Sequence, residues 1–276
     1  VIPNETIEKM KDRYIREPEN KFMGGSLWQW KEPIPGHKYI MGIDVSRGDS
    51  EDYTTFCIID FDEREQVLEY LGKIPPDVAA EVAFKWATMY SAFVVIDITG
   101  GMGVSTARKL QELGYQNLYV EGVNVADKWK YNPKSFEKIP GLNFNNKRVQ
   151  IVASFEEALR HDYQVRSNRL LNELNTFVYI NGRPDHQKGQ HDDLIMAMAM
   201  AIYVGENSFS SLEKVTEQTK AMVDSWMVQE TPVTNPVDNY NPSLSTMHRD
   251  PYGRPQHGGA SKSDYEKYLW LFGGKK

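Results

Sequence analysis

The chain holds a single cysteine, Cys57, in 276 residues. One thiol excludes a disulfide framework and a multi-cysteine zinc site. Long hydrophobic runs are also missing. The longest, residues 194–204, has 11 residues, too few to cross a bilayer. The opening VIPNETIEKMKDRY is charged and lacks the apolar segment of a secretion signal. It also lacks an initiator Met, as expected of a fragment of a longer chain. Positive charge is not in excess: 32 Lys and Arg stand against 38 Asp and Glu, a net charge of −6. A protein that coats nucleic acid draws its affinity from a cationic surface, so that class is excluded. A nucleic-acid enzyme is not, because catalytic carboxylates lower the sum while a local basic patch does the gripping. No GxxxxGK(S/T) phosphate loop occurs either, which removes P-loop ATPases. With 40% hydrophobic residues, the remaining class is a soluble protein of a reducing compartment with a real core.

Three zones differ in composition. Residues 1–38 hold a short helical pattern (Ile7, Met10, Tyr14), then an irregular stretch with Gly24, Gly25, Pro33, Pro35 and Gly36, and read as a lead or linker. Residues 39–206 carry the strong periodic signals. The pattern predicts strands over 39–45, 54–60 and 66–74, a helix over 77–90, a strand over 92–98, a helix over 105–113 and a short strand over 117–120. A hairpin followed by alternating helix and strand indicates an α/β domain, a mixed β-sheet flanked by helices. Three antiparallel strands followed by parallel ones is the order of the RNase H-like fold. Residues 207–276 form the third zone, with an amphipathic helix expected over 211–228. Five Pro and three Gly over 231–262 then suggest a loose linker.

Three acidic positions stand out. Asp44 ends the first strand in GIDVSRGDSEDYT, and open α/β sheets place ligands at such strand ends. A solvated Asp that begins a turn is the plain alternative. Asp97 interrupts a buried strand in FVVIDITGGMG, where an unpaired carboxylate costs several kcal/mol. The glycines after it approximate a dinucleotide-binding fingerprint, but Thr106 stands where the third glycine belongs. Asp192 and Asp193 precede LIMAMAMAIYV, a helix apolar on every face. One Asp suffices as an N-cap, which leaves the other pointing beyond the helix end.

Three convergent carboxylates raise one another's pKa and need cations. Oxygen-only ligands favour Mg2+ or Mn2+ over zinc. Two such ions roughly 3.5–4 Å apart form the clamp for phosphodiester hydrolysis. Asp52 and Asp192 are further candidate ligands, and His191 is a candidate orienting group. The charge distribution points to the substrate. Residues 127–170 hold nine Lys or Arg against five Asp or Glu, interleaved with Trp129, Tyr131 and Phe144. Candidate phosphate contacts are Arg47, Lys128, Lys130, Lys147, Arg148, Arg166 and Lys188.

The series YIMGIDVSRGDSEDYTTFCIID, VVIDITGGMGVSTARKL, GLNFNNKRVQIV and LLNELNTFVYINGRPDHQKGQHDDLIMAMAMAIYV resembles the C-terminal nuclease domain of large terminase subunits of tailed bacteriophages, the T-even type above all. The preceding GGSLWQWKEPIPGHKY resembles the segment that links the family's ATPase domain to its nuclease. The resemblance implies an RNase H-like nuclease that cuts concatemeric viral DNA with two divalent ions on Asp44, Asp97 and Asp193. T-even relatives often have Glu where this chain has Asp97. It also implies double-stranded DNA, the terminase ATPase domain, the portal protein and the small terminase subunit as partners, in the host cell cytoplasm and without a membrane. Two other classes are weighed against it. An actin- or sugar-kinase-like ATPase would need a second Asp- and Gly-rich phosphate hairpin, which HDDL leading directly into a buried helix is not. A catalytically silent portal or DNA docking domain would have no need of three acids.

Overall fold

Six strands make the central sheet: β1 (Asn20–Phe22), β2 (Leu27–Gln29), β3 (Tyr39–Asp44), β4 (Thr54–Asp60), β5 (Glu65–Gly72) and β6 (Phe93–Ile96). The computed structural model describes residues 1–49, 52–123, 138–145, 147–161 and 163–209. Strand order is β1-β2-β5-β4-β3-β6. All pairings are antiparallel except β3 with β6, which is parallel. A hairpin meander followed by a parallel strand is the RNase H-like arrangement, a mixed α/β fold with helices on both faces of the sheet. β4 is buried at every position, as a strand covered on both faces must be.

Side chains alternate between two cores. Met41, Ile43, Phe56, Ile58, Val94 and Ile96 face one of them, with α2 (Pro76–Tyr90) and α3 (Met102–Glu112). The other receives Ile40, Cys57, Ile59, Phe93 and Val95. Packed there are α1 (Asn4–Arg13), α4 (Arg148–Arg160), α5 (Asn168–Thr176) and α6, helical over 193–209. Residues 194–202 are buried throughout, as the all-round apolar pattern requires. Gly42 lets α6 lie directly on the sheet: a Cβ there would stand 1.9 Å from the Ala197 carbonyl oxygen.

The segment before residue 39 differs from the expected linker. Ile2, Ile7 and Met10 are core residues, Trp30 is fully buried, and β1 and β2 extend the sheet from β5. Val1–Leu212 form one compact unit. Strands of three residues are too short for a period-2 pattern to register. The strand expected over 117–120 is reduced to single bridges, Val94 with Leu118 and Val120 with Gly141. An unforeseen hairpin, β7 (Phe177–Ile180) with β8 (Arg183–His186), turns at Asn181-Gly182. Both turn residues have positive φ, 50° and 77°, the type I′ geometry that Asn-Gly favours. The helix expected over 211–228 and the tail beyond it lie outside the described residues. Among the described residues, no helix is long and apolar enough to cross a membrane.

A buried ionic network ties β5 to the segment entering α5. Glu65 accepts from Arg16 and Arg166 at 2.6 and 2.7 Å and pairs with Lys31. Glu69 accepts from Arg169 and Ser167 at 2.8 and 2.9 Å. Arg166 also donates to the Tyr14 carbonyl and to Gln164. This corrects the reading of Arg166 as a DNA contact: its side chain is 8% exposed and its guanidinium is committed to the core. Arg166→Ala leaves Glu65 with Arg16 and Lys31 but opens a cavity and frees the Gln164 side chain and the Tyr14 carbonyl; it is expected to cost about 2–3 kcal/mol, read by urea unfolding.

Candidate active site

The parallel register brings the first two acids together. Ile43 pairs with Ile96, and the Asp97 N–H donates to the Ile43 carbonyl at 2.9 Å. Asp44 and Asp97 are therefore neighbours just past this pair. Both have the parity of Ile40, Gly42, Phe93 and Val95, so both project toward α4 and α6. Gly103 brings α3 onto the Asp97 carbonyl, where a Cβ would stand 1.7 Å away. The first glycines after this strand shape a turn and a close approach, consistent with the weak dinucleotide fingerprint.

The third acid arrives from α6 and is pinned to the same strand end. Thr55, the register partner of Asp44, donates its hydroxyl to the Asp193 carbonyl at 2.9 Å. The Tyr53 N–H donates to Asp193 Oδ2 at 3.1 Å. His191 stacks edge-on against Tyr53 and places Nδ1 3.7 Å from Asp193 Oδ2. Neither aspartate caps α6 in the expected way. Glu173 of α5 accepts from the Ile195 N–H at 3.1 Å, which leaves Asp193 free of that duty. Asp192 instead pairs with Arg148 and lies 3.1 Å from His186 Nδ1.

A cavity of about 240 Å3 opens at this strand end, lined by Asp44, Asp97, Thr99, Phe144, Asn145, Arg148 and Met196. Its electrostatics are those of an acid cluster. Burial, then Asp97, Asp193 and Asp192, push the Asp44 carboxyl well above the usual range, while Arg148 opposes them. Burial raises Asp97 to about 6, against the Thr99 hydrogen bonds and Arg148. Asp193 is raised to about 6 by burial, against the Tyr53 N–H, with Asp192 and Asp52 adding to the rise. Asp97 accepts from the Thr99 N–H at 2.7 Å, and Asp193 has Tyr53. No donor among the described residues reaches the Asp44 carboxylate. A half-buried carboxylate without a donor, beside other acids, is the donor set of a hard divalent cation.

The remaining predicted residues divide. Asp52 is exposed and bears on Asp193 through charge. Arg47 is exposed and pairs with Asp49. Lys147 pairs with Glu121. Lys188 is exposed in the turn between β8 and α6. Arg148 is in the pocket itself, not on a surface remote from it. Lys128 and Lys130 lie outside the described residues. Three contributors escaped the sequence reading: Glu173, and Asp185 and His186 of β8. One ligand atom each from Asp185, His186 and Asp192 lie within 4.8 Å of one another. The Asn181-Gly182 dipeptide was the available signal for that hairpin.

No protein-family model matches the sequence. Solved structures do. The chain is similar to the large terminase nuclease from thermophilic phage G20c, with a TM-score of 0.52 and 18% identity, over 71% of this chain and 96% of that one. The same nuclease with bound magnesium matches equally, at 0.52, 18%, 71% and 96%. Its form with bound cobalt matches at 0.52 and 17% identity, over 71% and 96%. At this identity the likeness is one of fold.

Proposed function

We propose that this chain is the nuclease part of a large terminase of the T-even type. It is a metal-dependent endonuclease that cuts concatemeric double-stranded viral DNA during genome packaging. The observation that carries the reading is Asp44, set beside Asp97 at the strand end and without a donor of its own. Asp97 lines the same pocket, and Asp193 is pinned to the adjoining end of β4. The shared fold with the G20c nuclease, one structure of which has magnesium bound, adds support.

Asp44, Asp97 and Asp193 would hold two divalent ions, Mg2+ or Mn2+. When bound, such ions activate a water and stabilise the leaving oxygen. The chain's own residues prepare the site. Tyr53 and Thr55 hold Asp193 by its carboxylate and its carbonyl, and His191 flanks that carboxylate as an orienting group. The Thr99 N–H fixes the rotamer of Asp97. Lys188 and Arg47 stand exposed for the phosphate backbone, with Lys128, Lys130 and Lys147 as further candidates in the basic stretch. The weak net grip of such a protein suits a nuclease whose DNA is delivered by an ATPase domain, with the portal and small subunit as further partners in the host cytoplasm.

Purified protein is expected to nick and cut supercoiled plasmid in Mg2+ or Mn2+ with little sequence preference, and to stop in excess EDTA. Gel assays over time read the result. Cleavage that persists undiminished in EDTA overturns the proposal.

A further inference from the structure

Among the described residues, Arg148 is the one cationic side chain lining the carboxylate pocket, and it is held from two sides. It opens α4, and its side chain is 34% exposed. Nε donates to the Pro184 carbonyl at 3.1 Å. Nη2 pairs with Asp192 Oδ2 and lies 3.8 Å from Asp185 Oδ1. The other oxygen of Asp192 faces His186 Nδ1 at 3.1 Å. Asp192 therefore has both oxygens engaged, one on Arg148 and one on the hairpin. The guanidinium is tethered at the rim, yet close enough to act on Asp44 and Asp97.

Resting on the reading of this pocket as a divalent-ion site, we propose that Arg148 is a tethered counter-ion that sets the pocket's affinity for divalent cations, and that Asp192 is its tether and not a ligand. A fixed positive charge beside carboxylates supplies part of the neutralisation that an ion would supply. It also repels the arriving ion, so both effects lower affinity. A phosphodiester entering the pocket brings the opposite charge and offsets Arg148. Ion and DNA then favour each other's binding, and the coupling is reciprocal. Arg148 is thus a positioning residue: it acts through charge on the ligands and holds β8 against α4. Asp192 adds its own negative charge beside Asp44 and Asp193, and beyond that it influences the ions by holding Arg148. Removing the tether frees the guanidinium to move toward Asp44 and Asp97.

The test is Mn2+ binding to the full chain by titration calorimetry, without DNA, with circular dichroism melts to confirm folding. Arg148→Gln is expected to bind Mn2+ roughly ten-fold more tightly than the native protein. Arg148→Lys keeps the charge and should stay within about two-fold of it. Asp192→Asn should bind more weakly, and the same change made in the Arg148→Gln background should weaken binding by clearly less, leaving only the direct loss of one nearby charge. Equal affinity in the native protein and Arg148→Gln overturns the counter-ion. Equal weakening by Asp192→Asn in both backgrounds means that Asp192 acts on the ions directly and overturns the tether. Should Arg148→Gln not fold, unchanged or tighter binding by Asp192→Asn still contradicts the proposal. No Mn2+ binding by the native protein overturns the metal reading itself, which is a separate and distinguishable failure.

Discussion

Replacing Asp44, Asp97 or Asp193 singly with Asn is expected to reduce plasmid cleavage by at least about 10²–10³-fold, the scale set by losing one preorganised charge-stabilising group. Each change is nearly isosteric and removes one negative charge from the pocket. The fold should survive, because none of these carboxylates anchors the core through a salt bridge. Asp44→Asn relieves a half-buried charge that no donor satisfies, so the metal-free variant should melt no lower than the native protein. Asp193→Asn retains the carbonyl that accepts from Thr55 and keeps an oxygen for the Tyr53 N–H. Loss of activity with a metal-free melting temperature no lower than that of the native protein is the joint signature, read by gel assay and calorimetry on the same preparations. Asp52→Asn, at an exposed position, should have the smallest effect of any acid near the site. Full cleavage in all three variants would sink the metal-site model.

The three acids were legible because each breaks a local rule. An Asp at a buried strand end, an Asp inside FVVID and a doubled Asp ahead of an all-apolar helix each contradict the pattern around them, and such conflicts concentrate at functional sites. The sheet was legible for a related reason: β3, β4, β5 and β6 are long or apolar enough to show their period. The ends of β3 and β6 do coincide in space, as parallel pairing with Ile43 opposite Ile96 requires.

What stayed hidden depends on partners distant in sequence. Arg166 and Arg148 looked alike as members of one basic stretch. One is a core cation paired with Glu65, 101 residues away, and the other enters the pocket through Asp192, 44 residues away. Composition counts charges but does not pair them. Glu173 capping α6 from α5 is another such contact. β1 and β2 escaped because three-residue strands have no pattern of their own and exist only by pairing, β1 with β2 and β2 with β5. Much of the net +4 over residues 127–170 is consequently less available to DNA than its sum suggests, with Lys147 on Glu121 and Arg166 and Arg169 on Glu65 and Glu69.

Metal-free protein is expected to lose stability as pH rises from about 4 to 7, against the usual trend for a domain with paired carboxylates. Asp97 and Asp193 titrate near 6 in the fold, each raised from 3.8 first of all by burial. The folded state then binds protons more tightly than the unfolded chain, so unfolding releases protons between these values and stability falls as pH rises. Below about 4 both states are protonated and the cost is absent; above about 6 it is present in full. At about 1.4 kcal/mol per pKa unit, the two acids together account for several kcal/mol. Millimolar Mg2+ should recover much of this at pH 8, where the carboxylates are charged, and little at pH 5, where protons compete for the same oxygens. Melting temperatures measured against pH, in EDTA and in Mg2+, should therefore diverge with rising pH. The double variant Asp97→Asn with Asp193→Asn removes both groups, and its two curves should run together. A native protein whose EDTA and Mg2+ curves coincide at pH 8 would mean that these acids hold no ion and that their raised pKa values serve some other end.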